Sequence, residues 1–212
     1  MCVSSRSSLV LFLSGFIGSL ALLYKTKDLN NLFLLFVIGI QLAEYFMWID
    51  IESGGQYHNL NIIGNYISIL FLFLQTSGLS ILIPKKYRLF VVIPNLVYYL
   101  IITILYTKKL VNKKTSALTT VGKTNTLVWS VIPNSSILKW VGLILYIMSN
   151  VYINVFHFNT YIASIFNLFL ILISFKVVKS FRAEYYSSVY CYIGAIITNL
   201  YVVYEIHNDK LI

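Results

Sequence analysis

Apolar runs of roughly 18 to 22 residues recur along this chain between breaks rich in Lys or in Gly and Asn, the length a helix needs to cross a hydrocarbon core of about 30 Å. Lipid offers no partner to backbone N–H and C=O groups, so such runs must be helices or the strands of a closed barrel. The apolar/polar alternation of barrel strands is missing, which leaves helices. Composition agrees: of 212 residues, 58% are hydrophobic and only 11% charged, too little polar surface to clothe a water-soluble globule.

The expected fold is all-α, a polytopic transmembrane helix bundle of about seven spans forming a single membrane domain over residues 1–212. The spans read as Ser8–Tyr24, Leu32–Ile49, Leu60–Ile83, Leu89–Tyr106, Ile137–Phe156, Phe158–Phe175 and Ser187–Tyr204, each bounded by charge or turn residues. Arg6 followed by Leu9 to Leu23 resembles a signal peptide. The run meets Tyr24, Lys25 and Lys27 without a small-residue cleavage pair, so it is read as the first span. Pro84 with Lys85, Lys86 and Arg88 stops the third span, and Pro94-Asn95 predicts a kink or a loosened hydrogen-bond ladder in the fourth. Thr107–Ser136 is the one sizeable connection. β-Branched residues on either side of Gly122-Lys123-Thr124-Asn125 predict a small hairpin at the membrane surface between spans four and five, with Trp129 as an interfacial anchor.

The formal charge of +9 does not point to nucleic acid, because the lysines sit between the apolar runs and not on one basic face. With an odd number of spans the termini face opposite sides. Arg6, Lys108, Lys109, Lys113, Lys114, Lys123, Lys139, Lys176, Lys179 and Arg182 fall on the N-terminal side, against Lys25, Lys27, Lys85, Lys86, Arg88 and Lys210 on the other. The bias puts the N-terminus in the cytoplasm. Asn134-Ser-Ser is an N-glycosylation sequon in the same loop, and its use would require the opposite orientation. Cys2 and Cys191 are the only cysteines, which argues against a disulfide framework or a thiolate metal cluster.

Glu44 is the only acidic side chain well inside an apolar run. An intramembrane carboxylate costs several kcal/mol unless it is protonated, paired or wet. Gln41, Glu44 and Trp48, spaced i, i+3 and i+7, share one helix face, which is expected to point inward. Polar groups at comparable depth are Gln75 with Thr76 and Ser77 in the third span, Asn150 and Asn154 with Tyr146 in the fifth, and Cys191, Gly194 and Thr198 with Asn199 beside them in the seventh. Gln41, Glu44, Trp48, Gln75, Asn150, Asn154, Cys191 and Thr198 are therefore the candidate lining of a polar cavity. Interhelical hydrogen bonding, with a protonated Glu44 acting as glue, is the competing explanation for all of them.

Enzyme chemistry finds few residues to work with. His58, His157 and His207 look isolated, with no His pair at i, i+4 and no Asp/His cluster, so no metal site is visible. There is no Gly-x-Ser-x-Gly and no phosphate-cradling glycine loop. A retinal-binding lysine is missing from the last span, and so are the Asp-Arg-Tyr and Asn-Pro-x-x-Tyr signatures of G-protein-coupled receptors. No cofactor and no metal are expected.

Three short motifs, Gln41-x-x-Glu44-x-x-x-Trp48, Leu127-Val-Trp129 and Tyr190-Cys191-Tyr192, lie in this order along most of the chain. In them the chain resembles an uncharacterised family of small multi-spanning membrane proteins of bacteria and large DNA viruses, which tends to have Trp-Cys-Phe at the third motif. It departs from that family at Tyr45, where glycine is usual, at Asn125-Thr126, where Gly-His is frequent, and at Tyr190. The resemblance implies a recurring Gln/Glu/Trp/Cys constellation and brings no biochemical role with it.

Three functions remain in play. The first is a transporter, channel or binding protein for a proton, cation or small solute, centred on Glu44 and Gln41 with Trp48 as a wall. The second is a non-catalytic structural or assembly component of a viral or cellular membrane that associates laterally, for instance as a homo-oligomer. The third is a lipid-modifying enzyme with Glu44 as general base, for which no nucleophile or second acid is evident.

Overall fold

The computed structural model describes residues 4–27, 29–78, 80, 83–112, 117–122, 127–131, 135–156, 196, 199, 200 and 202–204. Their elements in chain order are α1 (Ser5–Thr26), a 3-10 turn (Leu29–Asn31), α2 (Leu32–Glu52), α3 (His58–Ser77), α4 (Lys85–Asn112), β1 (Thr120–Val121), β2 (Leu127–Val128) and α5 (Ser136–Phe156). Four of these helices are long and apolar enough to cross a membrane: Ser5–Thr26, Leu34–Glu52, His58–Ser77 and Lys85–Asn112. The run Phe158–Phe175 lies outside the described residues. Of Ser187–Tyr204, the described Ile196, Asn199, Leu200 and Val202 to Tyr204 are helical.

Which residues face outward identifies the solvent. In α1 the buried residues are Ser8, Gly15, Ser19 and Leu22, while Val10, Leu13, Phe16, Ile17 and Leu20 are exposed. α4 exposes Leu89, Phe90, Ile93, Val97 and Leu100 and buries Asn95 with Val91, Ile102 and Tyr106. A water-soluble bundle would hide the large side chains and expose the polar ones. Here Ser8, Gly15, Ser19 and Asn95 face the protein while a band of large apolar side chains faces out, as lipid solvation demands. The chain is an integral membrane protein.

The helices run up and down. Ser4 caps α1, its hydroxyl accepting the Ser7 N–H at 3.2 Å, and the Ser5 N–H donates to the Glu52 carboxylate at 2.8 Å, which ties the start of α1 to the end of α2. A carboxylate beside a helix N-terminus also complements its dipole. α2 returns into α3 through Gly54 and Gly55, whose φ angles of 71° and 87° are the left-handed values that glycine adopts without strain. α2 and α3 are antiparallel and approach closely at small residues. A Cβ on Gly64 would fall 2.6 Å from the Ala43 carbonyl oxygen, and one on Gly39 would strike the Phe71 ring.

α4 is antiparallel to α3, with Tyr66 edge-on to Tyr106 and Phe73 edge-on to Tyr99. It starts directly after Pro84 and has 28 residues. At 1.5 Å per residue it is about 42 Å long, so both ends project beyond the hydrocarbon core. Pro94 lies within this continuous helix and has no N–H for the Phe90 carbonyl. The next residue, Asn95, donates to the Val91 carbonyl at 2.8 Å and to Ser149 Oγ at 2.7 Å, fastening α5 beside the proline. β1 and β2 pair antiparallel, with Thr120 opposite Val128 and Val121 opposite Leu127.

The hydrophobic core lies where the 117–131 segment meets the bundle. Ala117, Leu127, Trp129 and Val131 cluster there with Ile40, Ala43, Met47 and Trp48 of α2, Ile69 of α3, and Ile102 and Tyr106 of α4. Trp129 therefore differs from the expected headgroup anchor: its ring is buried inside the protein, 2% exposed. The lone aromatic in that segment gains more from filling the gap between three helices than from the interface.

Candidate functional site

α2 carries the intramembrane carboxyl. Gln41 and Glu44 are 0% exposed and Trp48 4%, so the face they share points into the protein. At about 100° per residue, this stripe lies roughly 100° around α2 from Ala43 and Met47, the ridge that meets Gly64 of α3. The α2–α3 register, Ala43 and Met47 against Gly64 and Gly39 against Phe71, sets Glu44 level with Asn65 and Tyr66. Glu44 is eight residues, or about 12 Å, from the Glu52 end of α2. The carboxyl thus sits in the half of the membrane nearer the 117–131 segment. Among the described residues the Trp48 indole N–H has no hydrogen-bond acceptor.

Gln75 is buried too, but its Nε2 donates to the Phe36 carbonyl at 3.0 Å. Phe36 is two helical turns, about 12 Å, from Glu44, so this bond places the amide towards the opposite end of the bundle. Asn150 lies on α5; its side chain and that of Asn154 are outside the described residues, as are Cys191 and Thr198. Asn199 is described, and its Nδ2 would lie 3.1 Å from a Cβ on Gly15.

A second polar centre was not singled out in the sequence. Asp50, at the end of α2, is 3% exposed and stands 3.1 Å from His58 Nδ1. The expectation of an isolated His58 is therefore corrected: the Gly54-Gly55 turn folds the chain back and brings an acid to a histidine eight positions on. The Asp50 carboxylate also accepts the Tyr57 N–H and Asn61 Nδ2, both at 3.0 Å. Asn61 Nδ2 further donates to the Thr119 carbonyl at 3.0 Å, and Asn61 Oδ1 accepts the Thr119 N–H at 2.9 Å. One carboxamide thus grips both polar groups of one residue's backbone.

Asn65, one turn deeper, donates to Asn61 Oδ1 and to the Asn61 carbonyl, while its own Oδ1 accepts from the hydroxyls of Thr119 at 2.9 Å and Ser130 at 3.0 Å. Both carboxamides are saturated, each hydrogen and each oxygen engaged. A sequence signal existed: His58, Asn61, Asn65 and Ser68 recur at spacings of three and four, a polar stripe on one face of α3. Nothing in the sequence named Thr119 and Ser130 as its partners. Among the described residues no three His, Cys, Asp or Glu side chains group so as to hold a metal ion.

No family model, curated protein or solved structure matches the chain.

Proposed function

We propose that this protein transports or binds a proton, a cation or a small solute through a polar intramembrane site centred on Glu44, within a seven-span bundle whose N-terminus is cytoplasmic and whose 117–131 segment is a surface hairpin. The observation that carries the reading is the complete burial of Glu44 beside Gln41 and Trp48 on one face of a membrane-spanning helix. A carboxyl inside a membrane span is a group that can hold a proton or a cation within the bilayer.

The inner face of α3 supports the same reading. It buries Asn61, Asn65 and Ser68 towards one end and Gln75, Thr76 and Ser77 towards the other, with the apolar stretch from Ile69 to Leu74 between them. Polar groups thus stand on both sides of the membrane centre along one face of α3. Asn150, Asn154, Cys191 and Thr198 belong to the proposed lining.

The test is proton or cation flux into liposomes holding the purified protein, with Glu44→Gln for comparison. Flux that falls to the level of empty liposomes in the variant supports a transport site. Equal flux in both, or none in either with an altered oligomeric state in Glu44→Gln, assigns the carboxyl to assembly and makes the protein a structural membrane component.

A further inference from the structure

Away from Glu44, three helices each bring an oxygen to one level of the bundle. Asn95 of α4 is 1% exposed and donates both hydrogens of its carboxamide, one to the Val91 carbonyl and one to Ser149 Oγ of α5. Its Oδ1 is buried and has no hydrogen-bond donor among the described residues. Ser77, the last residue of α3, is 4% exposed, and its Oγ is likewise without a partner among them.

The helix register brings these groups together. Phe73 and Tyr99 face each other across α3 and α4. Ser77 lies one turn after Phe73 and Asn95 one turn before Tyr99, and because the helices are antiparallel both steps lead the same way. Tyr66 and Tyr106, seven residues off in the other direction, keep the same register. Ser77, Asn95 and Ser149 therefore stand at one level, where α3, α4 and α5 meet. Asn95 is ten residues, or about 15 Å, from the Lys85 end of α4, and so lies inside the bilayer. It is eleven residues, or about 16 Å, from Tyr106, the level of Glu44.

We propose that this junction binds a monovalent metal cation, sodium or potassium, with Asn95 Oδ1, Ser77 Oγ and Ser149 Oγ among its ligands. The inference does not depend on the role of Glu44.

Chemistry selects the guest. A buried amide oxygen and a buried hydroxyl without partners are costly in a bilayer, and a ligand that meets both removes the cost. Asn95 turns its donors towards Val91 and Ser149, which leaves only an acceptor for a ligand. Ser149 Oγ takes one of those hydrogens and keeps a second lone pair. Because α3 ends at Ser77, the negative end of its dipole lies at the same place. Lone pairs and a negative helix end favour a positive guest over an anion. Carbonyl ends of helices interrupted inside a membrane coordinate such ions, and α3 stops within an apolar run that continues to Ile83. Hard cations take oxygen ligands, and a neutral set suits a single charge, since calcium and magnesium sites draw on carboxylates.

The test is thermal melting of the purified full chain in detergent, in sodium, potassium or choline chloride at equal concentration. A ligand that binds only the folded state raises the midpoint, by about 4 °C at ten times its Kd for a chain of this size. The site predicts that rise in sodium or potassium over choline, and its loss in Ser77→Ala and in Asn95→Leu. Glu44→Gln, a change about 16 Å away, keeps it. Ser77→Ala is the sharper variant, because a hydroxyl without a partner does not hold the fold together, so its midpoint in choline should match that of the wild type.

Midpoints equal in all three salts overturn the proposal, as a water molecule filling the junction would give. A rise that survives in both Ser77→Ala and Asn95→Leu overturns it too, by moving the ion elsewhere, and so does a rise lost in Glu44→Gln alone. Should Asn95→Leu fail to fold, Ser77→Ala decides. Saturable binding of radioactive sodium, or of rubidium in place of potassium, to the wild type but not to Ser77→Ala checks the same point without unfolding.

Discussion

The two buried polar centres are built in opposite ways. The stripe of Gln41, Glu44 and Trp48 comes from the spacing of one helix, whereas the Asp50–His58–Asn61–Asn65 network is assembled from the end of α2, the start of α3 and the 117–131 segment. The network is recognisable as structural work because its carboxamides are saturated and hold two parts of the chain together. Glu44 lies on a face of α2 about 100° around the helix from the ridge that packs on α3. The contrast teaches that one buried polar centre can be written into a single helix while another is assembled from three separate parts of the chain.

Substitutions at four positions, one in each centre and two at helix contacts elsewhere, set these contributions against one another, and the largest effect should come from the network. Asp50→Leu strands the Tyr57 N–H and one Asn61 hydrogen and removes the partner of His58, a loss of about 3 kcal/mol that thermal melting in detergent would register as a lowered midpoint. A melt like that of the wild type would show the network to be dispensable and erase the contrast. Gly64→Leu forces α2 and α3 apart, because even a Cβ would stand 2.6 Å from the Ala43 backbone oxygen. About 2 kcal/mol of destabilisation is expected, visible in the same melt, with Gly64→Ala falling between the two.

Asn95→Leu removes the bond to Ser149 that joins α4 to α5 and should cost only about 0.6 kcal/mol, the usual worth of one interhelical hydrogen bond in a membrane. Smallest of all in stability is Glu44→Gln, an isosteric change that keeps the side chain's volume and one of its oxygens. Its melt should shift by less than about 0.5 kcal/mol while flux is lost. A large loss of stability in Glu44→Gln would place Glu44 among the structural groups.

Much of the architecture was legible in the run lengths. α1 and α2 begin and end, and α5 begins, within a few residues of the spans read from hydropathy, since charge and turn residues punctuate them. α4 contains the span read as Leu89–Tyr106 and is longer at both ends, from Lys85 to Asn112, because lysines and an arginine are good helix formers outside the hydrocarbon and hydropathy does not count them. α3 stops at Ser77, well before Ile83, with Gly78 following it. An apolar run carries no marker for where helical hydrogen bonding ceases within it.

The site divides in the same way. Inward orientation of Gln41, Glu44 and Trp48 followed from helical periodicity and from the cost of a carboxyl in lipid, and these need nothing beyond local sequence. Periodicity cannot say which neighbour an inward face meets. Only the tertiary structure decided that Gln75 spends its amide on Phe36, that Asp50 meets His58 across a glycine turn, and that Asn61 grips a residue 58 positions further along the chain. The physical reason is that bilayer solvation acts on each span separately and leaves its mark in every run. Hydrogen bonds between spans depend on how the helices and their connecting segment settle against one another, which no single run encodes.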